Sequence, residues 1–292
     1  MKKILTITAI VLCMAFAFAA CAAPSTTAPA ATQAPSADAA ATQAPLADAA
    51  ALSGKVQLSG STSMETIANA LAEAFMAKNS GVAVDVQLGG SSVGVKDVQE
   101  GKSDIGNISR ELKPEETNIV AHPMAIDGIA VVVNQANKVS EISKEDLTKI
   151  YLGEIKNWKD VGGEDMPIVV IGREASSGTR GAFEELLEIA DKAAYAQELN
   201  ETGAVKTSVA NTPAAIGYVS LEALDETVTA LSVDGAGATE EAIKDGSYPL
   251  SRPFIMATAQ GELRPEVAAF LEFVLGSEGQ AIVADNKLIS IS

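Results

Sequence analysis

The sequence predicts an α/β protein built mainly on parallel strands, and two observations carry that prediction. Short apolar, β-branched runs alternate with amphipathic helical patterns from residue 55 onward, as expected of strands joined by helical crossovers. Three turns rich in serine, threonine and glycine, at 60–63, 89–92 and 176–179, each stand between a strand pattern and a helix pattern. A helix start presents free N–H groups and the positive end of the helix dipole. Three such turns, if they converge, surround one point with anion donors.

The chain has 292 residues, enough for one large domain or two lobes, each with its own core. Its formal net charge is −17, which argues against nucleic acid, because phosphate backbones need clustered Lys and Arg. A small anion stays possible, since local dipoles overrule net charge at a site. Both cysteines, Cys13 and Cys21, lie near the N-terminus. The rest of the chain therefore has neither disulfide nor thiolate metal site, and no cofactor is expected.

Residues 1–20 read as a signal peptide: Met1-Lys2-Lys3 is a basic start, 4–20 are almost wholly apolar, and small residues precede Cys21. A lipoprotein signal, cleaved before Cys21 and lipidated on its thiol, fits this anatomy; a plain secretory signal shares its first two parts. A retained membrane helix is the blander reading, for which the run is short. Residues 21–54 are rich in Ala, Pro, Thr and Gln and repeat a decad, ATQAPSADAA then ATQAPLADAA. Repeated proline and few large apolar residues cannot build a core, so a disordered tether is expected.

The folded body opens with a strand at 55–58. Thr62 and Glu65 match a capping box before the helical stripe Met64, Ile67, Leu71, Phe75. A second strand, with Val82, Val84, Val86 and Leu88 alternating, runs into GGSSVG and a helix start at Ser91. DIGNISR at 104–110 is a short strand ending in Ser-Arg. Residues 127–134, DGIAVVVN, form the most apolar strand and begin with an acid. Ser143 caps a helix with Leu147, Ile150 and Tyr151 on one face, and Trp158 is expected to pack rather than to stack on a ligand.

PIVVI at 167–171 is a buried strand that feeds GREASSGTR at 172–180. Phe183, Leu186, Leu187 and Ala190 then mark one helix face, and a long helix is expected through 190–198. Residues 212–219 read as turn and strand. The proline-bounded stretch 248–254 reads as an edge or linking strand. Val267, Phe270, Leu271 and Val274 make a helix closed by Gly276 at C′. His122 is the only histidine, and without a partner motif a structural role is expected.

These stretches together resemble the PstS family, the phosphate-binding receptors of ABC phosphate importers, in its shorter form. The resemblance rests on GSTSM, GGSSVGVKDV, SDIGNISREL, IDGIAVVVN, IYLGEIKNWKDVGG, GREASSGTR, TPAAIGYVS and FLEFVLGSEGQ in that order, and it covers 55–292. It implies the two-lobed periplasmic-binding-protein (type II) fold with hinge crossover strands. One lobe is expected at 55–132 plus about 228–292, the other at 133–227. It also implies a monomeric, non-enzymatic receptor, held outside the cell by its lipid, that captures inorganic phosphate and delivers it to a membrane permease.

The resemblance further implies phosphate ligands at Thr62, Ser63, Ser91, Arg173, Ser177, Gly178 and Thr179. The long form of the family carries an acidic acceptor for the phosphate proton where this sequence has Arg110. Arg110 is therefore expected to act as a second cation and Asp127 to supply the acceptor, a carboxylate that would meet P–OH and repel fully ionised sulfate. The alternatives are a receptor for sulfate or molybdate, a scaffold that uses the fold without binding, and a hydrolase using Ser177. The hydrolase would need a base, and the lone His122 stands in no recognisable motif.

Overall fold

The computed structural model describes residues 52–291. The expected signal peptide, the tether and Cys21 lie outside the described residues.

Three strands and two helices come first: β1 (Gly54–Gly60), α1 (Glu65–Lys78), β2 (Val82–Leu88), α2 (Ser91–Gln99) and β3 (Ile105–Ile108). β1 pairs in parallel with β2 and with β3, so both helices are crossovers. The chain then enters β4 (Ile119–Asn134), which runs from one half of the molecule into the other. The second half holds β5 (Glu141–Ile142), α3 (Lys144–Tyr151), β6 (Val169–Arg173), α4 (Gly178–Leu186), β7 (Gln197–Leu199), α5 (Thr202–Asn211), β8 (Ala215–Ser220), β9 (Val228–Ala230), β10 (Ser232–Val233) and α6 (Glu240–Lys244). β11 (Ser251–Ala259) returns to the first half, which α7 (Pro265–Leu275), α8 (Ser277–Asp285) and β12 (Ile289–Ser290) complete.

The main path of the sheet runs β2-β1-β3-β11-β4-β8-β6-β7, with β9 and β12 on β4. Its outer strands are parallel, as expected, but β11 against β3 and β4, and β8 against β4, are antiparallel. The middle is mixed because the chain crosses there twice, once in each direction. β11 is thus a central strand and not an edge; its Pro253 lies beside a register shift at Phe254/Ile255, where a missing N–H is tolerated.

Two cores flank the crossing. Val56, Leu58, Ile67, Phe75, Met124, Phe254 and Phe270 pack in the first. The second gathers Ile129–Val133 with Tyr151, Trp158, Phe183, Tyr218, Val228, Tyr248 and Leu250. The chain leaves the first core after Ala125 and rejoins it at Phe254, because the apolar run from Ile129 onward has its partners in the second half.

Other elements differ locally. The long helix expected through 190–198 does not form, and α4 stops at Leu186. Glu188 and Asp191 take left-handed backbone angles, and Glu184 accepts from the Asp191 N–H. Gly276 closes α7 as expected, its N–H donating to the Glu272 carbonyl, but it is extended rather than left-handed and opens α8 directly. Trp158 is fully buried and donates to the Ala214 carbonyl.

Candidate functional site

Helix starts from both halves meet at the crossing. Thr62 and Ser63 stand in one 3-10 turn between β1 and α1, and Ser61 caps it by accepting from the Ser63 N–H at 3.2 Å. The Thr62–Glu65 capping box does not form. The Thr62 hydroxyl points across to Thr202 instead, 3.1 Å away. Gly90 holds φ at 89° ahead of α2, a conformation glycine adopts at little cost. Ser91 accepts there from the Ser109 N–H at 3.0 Å, and its hydroxyl lies 3.2 Å from that of Ser109. Ser61 donates to the Ser109 hydroxyl at 2.7 Å.

From the second half, β6 ends on Arg173, which is only 1% exposed. Its guanidinium donors go to neutral oxygens: the carbonyls of Leu199 (3.1 Å) and Asn200 (2.8 Å) and the hydroxyl of Thr202 (3.0 Å). Burial lowers its pKa to about 10, so the side chain stays cationic at neutral pH. Ser177 caps α4 by accepting from the Arg180 N–H at 3.3 Å. Gly178 follows, so close to the first half that a Cβ would sit 2.1 Å from the Ser91 hydroxyl and 2.7 Å from that of Ser109. The Thr179 hydroxyl reaches Ser63 at 2.5 Å, and Thr202 reaches Ser63 at 3.0 Å.

Of the nine expected ligand residues, the structure brings together Thr62, Ser63, Ser91, Arg173, Ser177, Gly178 and Thr179. Arg110 and Asp127 are placed otherwise. The Arg110 guanidinium is held by the Glu116 carboxylate at 2.6 and 2.8 Å, with a further bond to the Glu111 carbonyl. Asp127 is fully buried between the two crossing strands, where Arg252 donates to it at 2.9 and 3.1 Å. Ser220 and the Leu221 N–H fill its other oxygen. Burial pushes Asp127 up and Arg252 down from their ordinary values, and each is the other's main compensation. Arg110 also donates to the Ser92 hydroxyl, beside Ser91, at 3.4 Å, but neither Arg110 nor Asp127 bonds the hydroxyls of Thr62, Ser63, Ser91, Thr179 or Thr202.

Ser109, Thr202 and Arg252 were missed in the sequence. Ser109 stands one residue before the singled-out Arg110. Thr202 opens α5, whose buried Val205 and Val209 are too few to mark it as a helix. Arg252, in the stretch expected as an edge or linking strand, donates to the Ser109 carbonyl at 2.9 Å. His122 lies on β4 and bonds Thr258 at 3.0 Å, while the Ser177 oxygen is engaged as a helix cap.

Two α/β halves joined by two crossing strands, with donors converging at the crossing, define a two-lobed solute-binding protein. The family model described as PBP superfamily domain matches residues 23–278. The chain is 36% identical over 248 residues to the phosphate-binding protein PstS of Bacillus subtilis (strain 168), covering 82% of each chain. It is similar to the solved structure of a putative phosphate ABC transporter substrate-binding protein with bound phosphate from Clostridium perfringens. That match has a TM-score of 0.77 and 39% identity, and covers 82% of this chain and 100% of that one. An ABC-type phosphate transport receptor from Vibrio cholerae matches at TM-score 0.69 and 34% identity, over 81% of this chain and 100% of its own. The chain belongs to the PstS family of the PBP superfamily, a family of non-enzymatic substrate-binding proteins.

Proposed function

We propose that this protein captures inorganic phosphate between its halves outside the cytoplasm and delivers it to the permease of an ABC importer. The observation that carries this is Arg173. It is a buried cation in an acidic protein, its guanidinium bonds go to neutral oxygens, and through Thr202 it is linked to the hydroxyls of Thr62, Ser63 and Thr179. A buried charge without a counter-ion is costly, and a tetrahedral oxyanion would supply both the charge and the acceptors. The ligands are Thr62, Ser63, Ser91, Arg173, Ser177, Gly178 and Thr179, from both halves, so binding favours the closed arrangement.

Calorimetry on the signal-free protein tests this, with sulfate and molybdate as competitors. Phosphate is expected to bind in preference to both, and Arg173→Ala to abolish detectable binding. Unchanged affinity in Arg173→Ala, or preference for a competitor, would sink the reading. The same proposal holds the protein at the membrane as a monomer through lipid on Cys21 and the tether 21–54. Metabolic lipid labelling that persists in Cys21→Ser would remove the anchor.

A further inference from the structure

Resting on that phosphate reading, we infer that Thr202 is a further phosphate-site residue: it carries the positive charge of Arg173 across to the first half and fastens the closed state. Its hydroxyl touches three members of the cluster. Arg173 donates to it at 3.0 Å, Ser63 lies at 3.0 Å and Thr62 at 3.1 Å. Arg173 has no acceptor capacity, so the direction of that first bond is fixed. The Thr202 oxygen accepts, and its proton must point to Thr62 or Ser63. With the proton on Ser63, a chain runs Arg173 to Thr202 to Ser63 to Thr179, crossing from the second half to the first and back.

Each hydroxyl in such a chain is polarised by the donor behind it, which strengthens the next bond in a low-dielectric site. A cation at one end makes the hydroxyl at the other end, that of Thr179, a better donor toward an anion. The backbone supports the same placement, because the Thr202 N–H also faces the Thr62 hydroxyl at 3.3 Å. Thr202 is 4% exposed, so water does not replace these contacts in the closed form. Thr62 and Ser63 come from the other half, so opening the cleft breaks every contact of Thr202 except those within its own half. Thr202 should therefore act on ligand release more than on ligand capture.

The test is phosphate binding by calorimetry and stopped-flow on the signal-free protein, with Thr202→Val, Thr202→Ala and Thr202→Ser. Val keeps the shape and removes the hydroxyl; Ala does so without adding bulk, should Val disturb folding. Both are expected to weaken phosphate roughly 10- to 100-fold, the range for one lost bond to a charged group. The loss should appear in the release rate, with the association rate changed less than about threefold. Thr202→Ser should restore affinity to near that of the parent. If the parent binds phosphate and Arg173→Ala does not, yet Thr202→Val and Thr202→Ala bind like the parent, the inference on Thr202 fails while the function stands. A slowed association with unchanged release would also overturn it, since a purely structural role reduces the competent fraction. Absence of phosphate binding by the parent would instead remove the functional reading itself.

Discussion

At the scale of single residues, the site is defined by what is small and what is hydroxylated. Gly178 has φ in the ordinary helical region and is needed for space: any β-carbon would displace the Ser91 and Ser109 hydroxyls. Gly178→Ala is expected to hold the halves apart by a fraction of an ångström and to weaken phosphate at least tenfold, at the small end of overpacking costs of about 1–3 kcal/mol. Calorimetry reads this directly, and parental affinity would show that the turn can yield. Arg173 needs its charge and its geometry together. The Tyr218 hydroxyl accepts from its backbone N–H at 3.2 Å and the α5 approach holds its guanidinium, so the cation is fixed before any ligand arrives.

At the scale of elements, the two crossing strands decide how the halves are joined. Asp127 on β4 and Arg252 on β11 face each other in register, and their ion pair ties the crossovers together at the middle of the sheet. Asp127→Asn keeps the shape but leaves Arg252 buried without a counter-ion, which should cost about 3–5 kcal/mol of stability. Thermal melting should fall clearly, while the phosphate-to-sulfate preference stays. A shifted preference at parental stability would return Asp127 to the role of proton acceptor. The helix starts obey local rules: Ser143 accepts from the Asp146 N–H, and Ser177 from that of Arg180. Thr62 departs from its local rule because a partner 140 residues away competes for its hydroxyl.

At the scale of the whole molecule, titratable groups from both halves line one cavity. Glu222 follows β8 and lies in a cavity of about 360 Å³ with Glu65, Lys206, Asp225 and Lys287. One of its carboxyl oxygens is buried with no hydrogen-bond partner. Burial, with Asp127 adding to it, pushes its pKa well above the ordinary carboxylate range, against the pull of Arg252 and of the Thr66 and Ile67 N–H groups. A carboxyl raised in the folded state favours the folded state when protonated. Its contribution is therefore complete below the ordinary carboxylate range and is lost as pH rises through the raised value. Glu222→Gln mimics the protonated form, so its melting temperature should fall less than the parent's as pH is raised from acid to neutral. Parallel curves would remove Glu222 as a source of the pH dependence.

What the sequence by itself determined is local: alternating strands and helices, the three hydroxyl-rich helix starts, and Arg173 with its Ser-Gly-Thr turn. Those follow from periodicity, capping chemistry and the small size of glycine, which act over a few residues. The tertiary structure decided which distant groups became partners. Arg110 and Arg252 are both arginines near strand ends, and nothing in their neighbours tells which pairs with Glu116 and which with Asp127. Thr202 acquires its role only because α5 is brought against the turn at Thr62–Met64. A hydroxyl's partner is chosen by what the fold presents within about 3 Å, and that is fixed by packing between two cores, not by spacing along the chain.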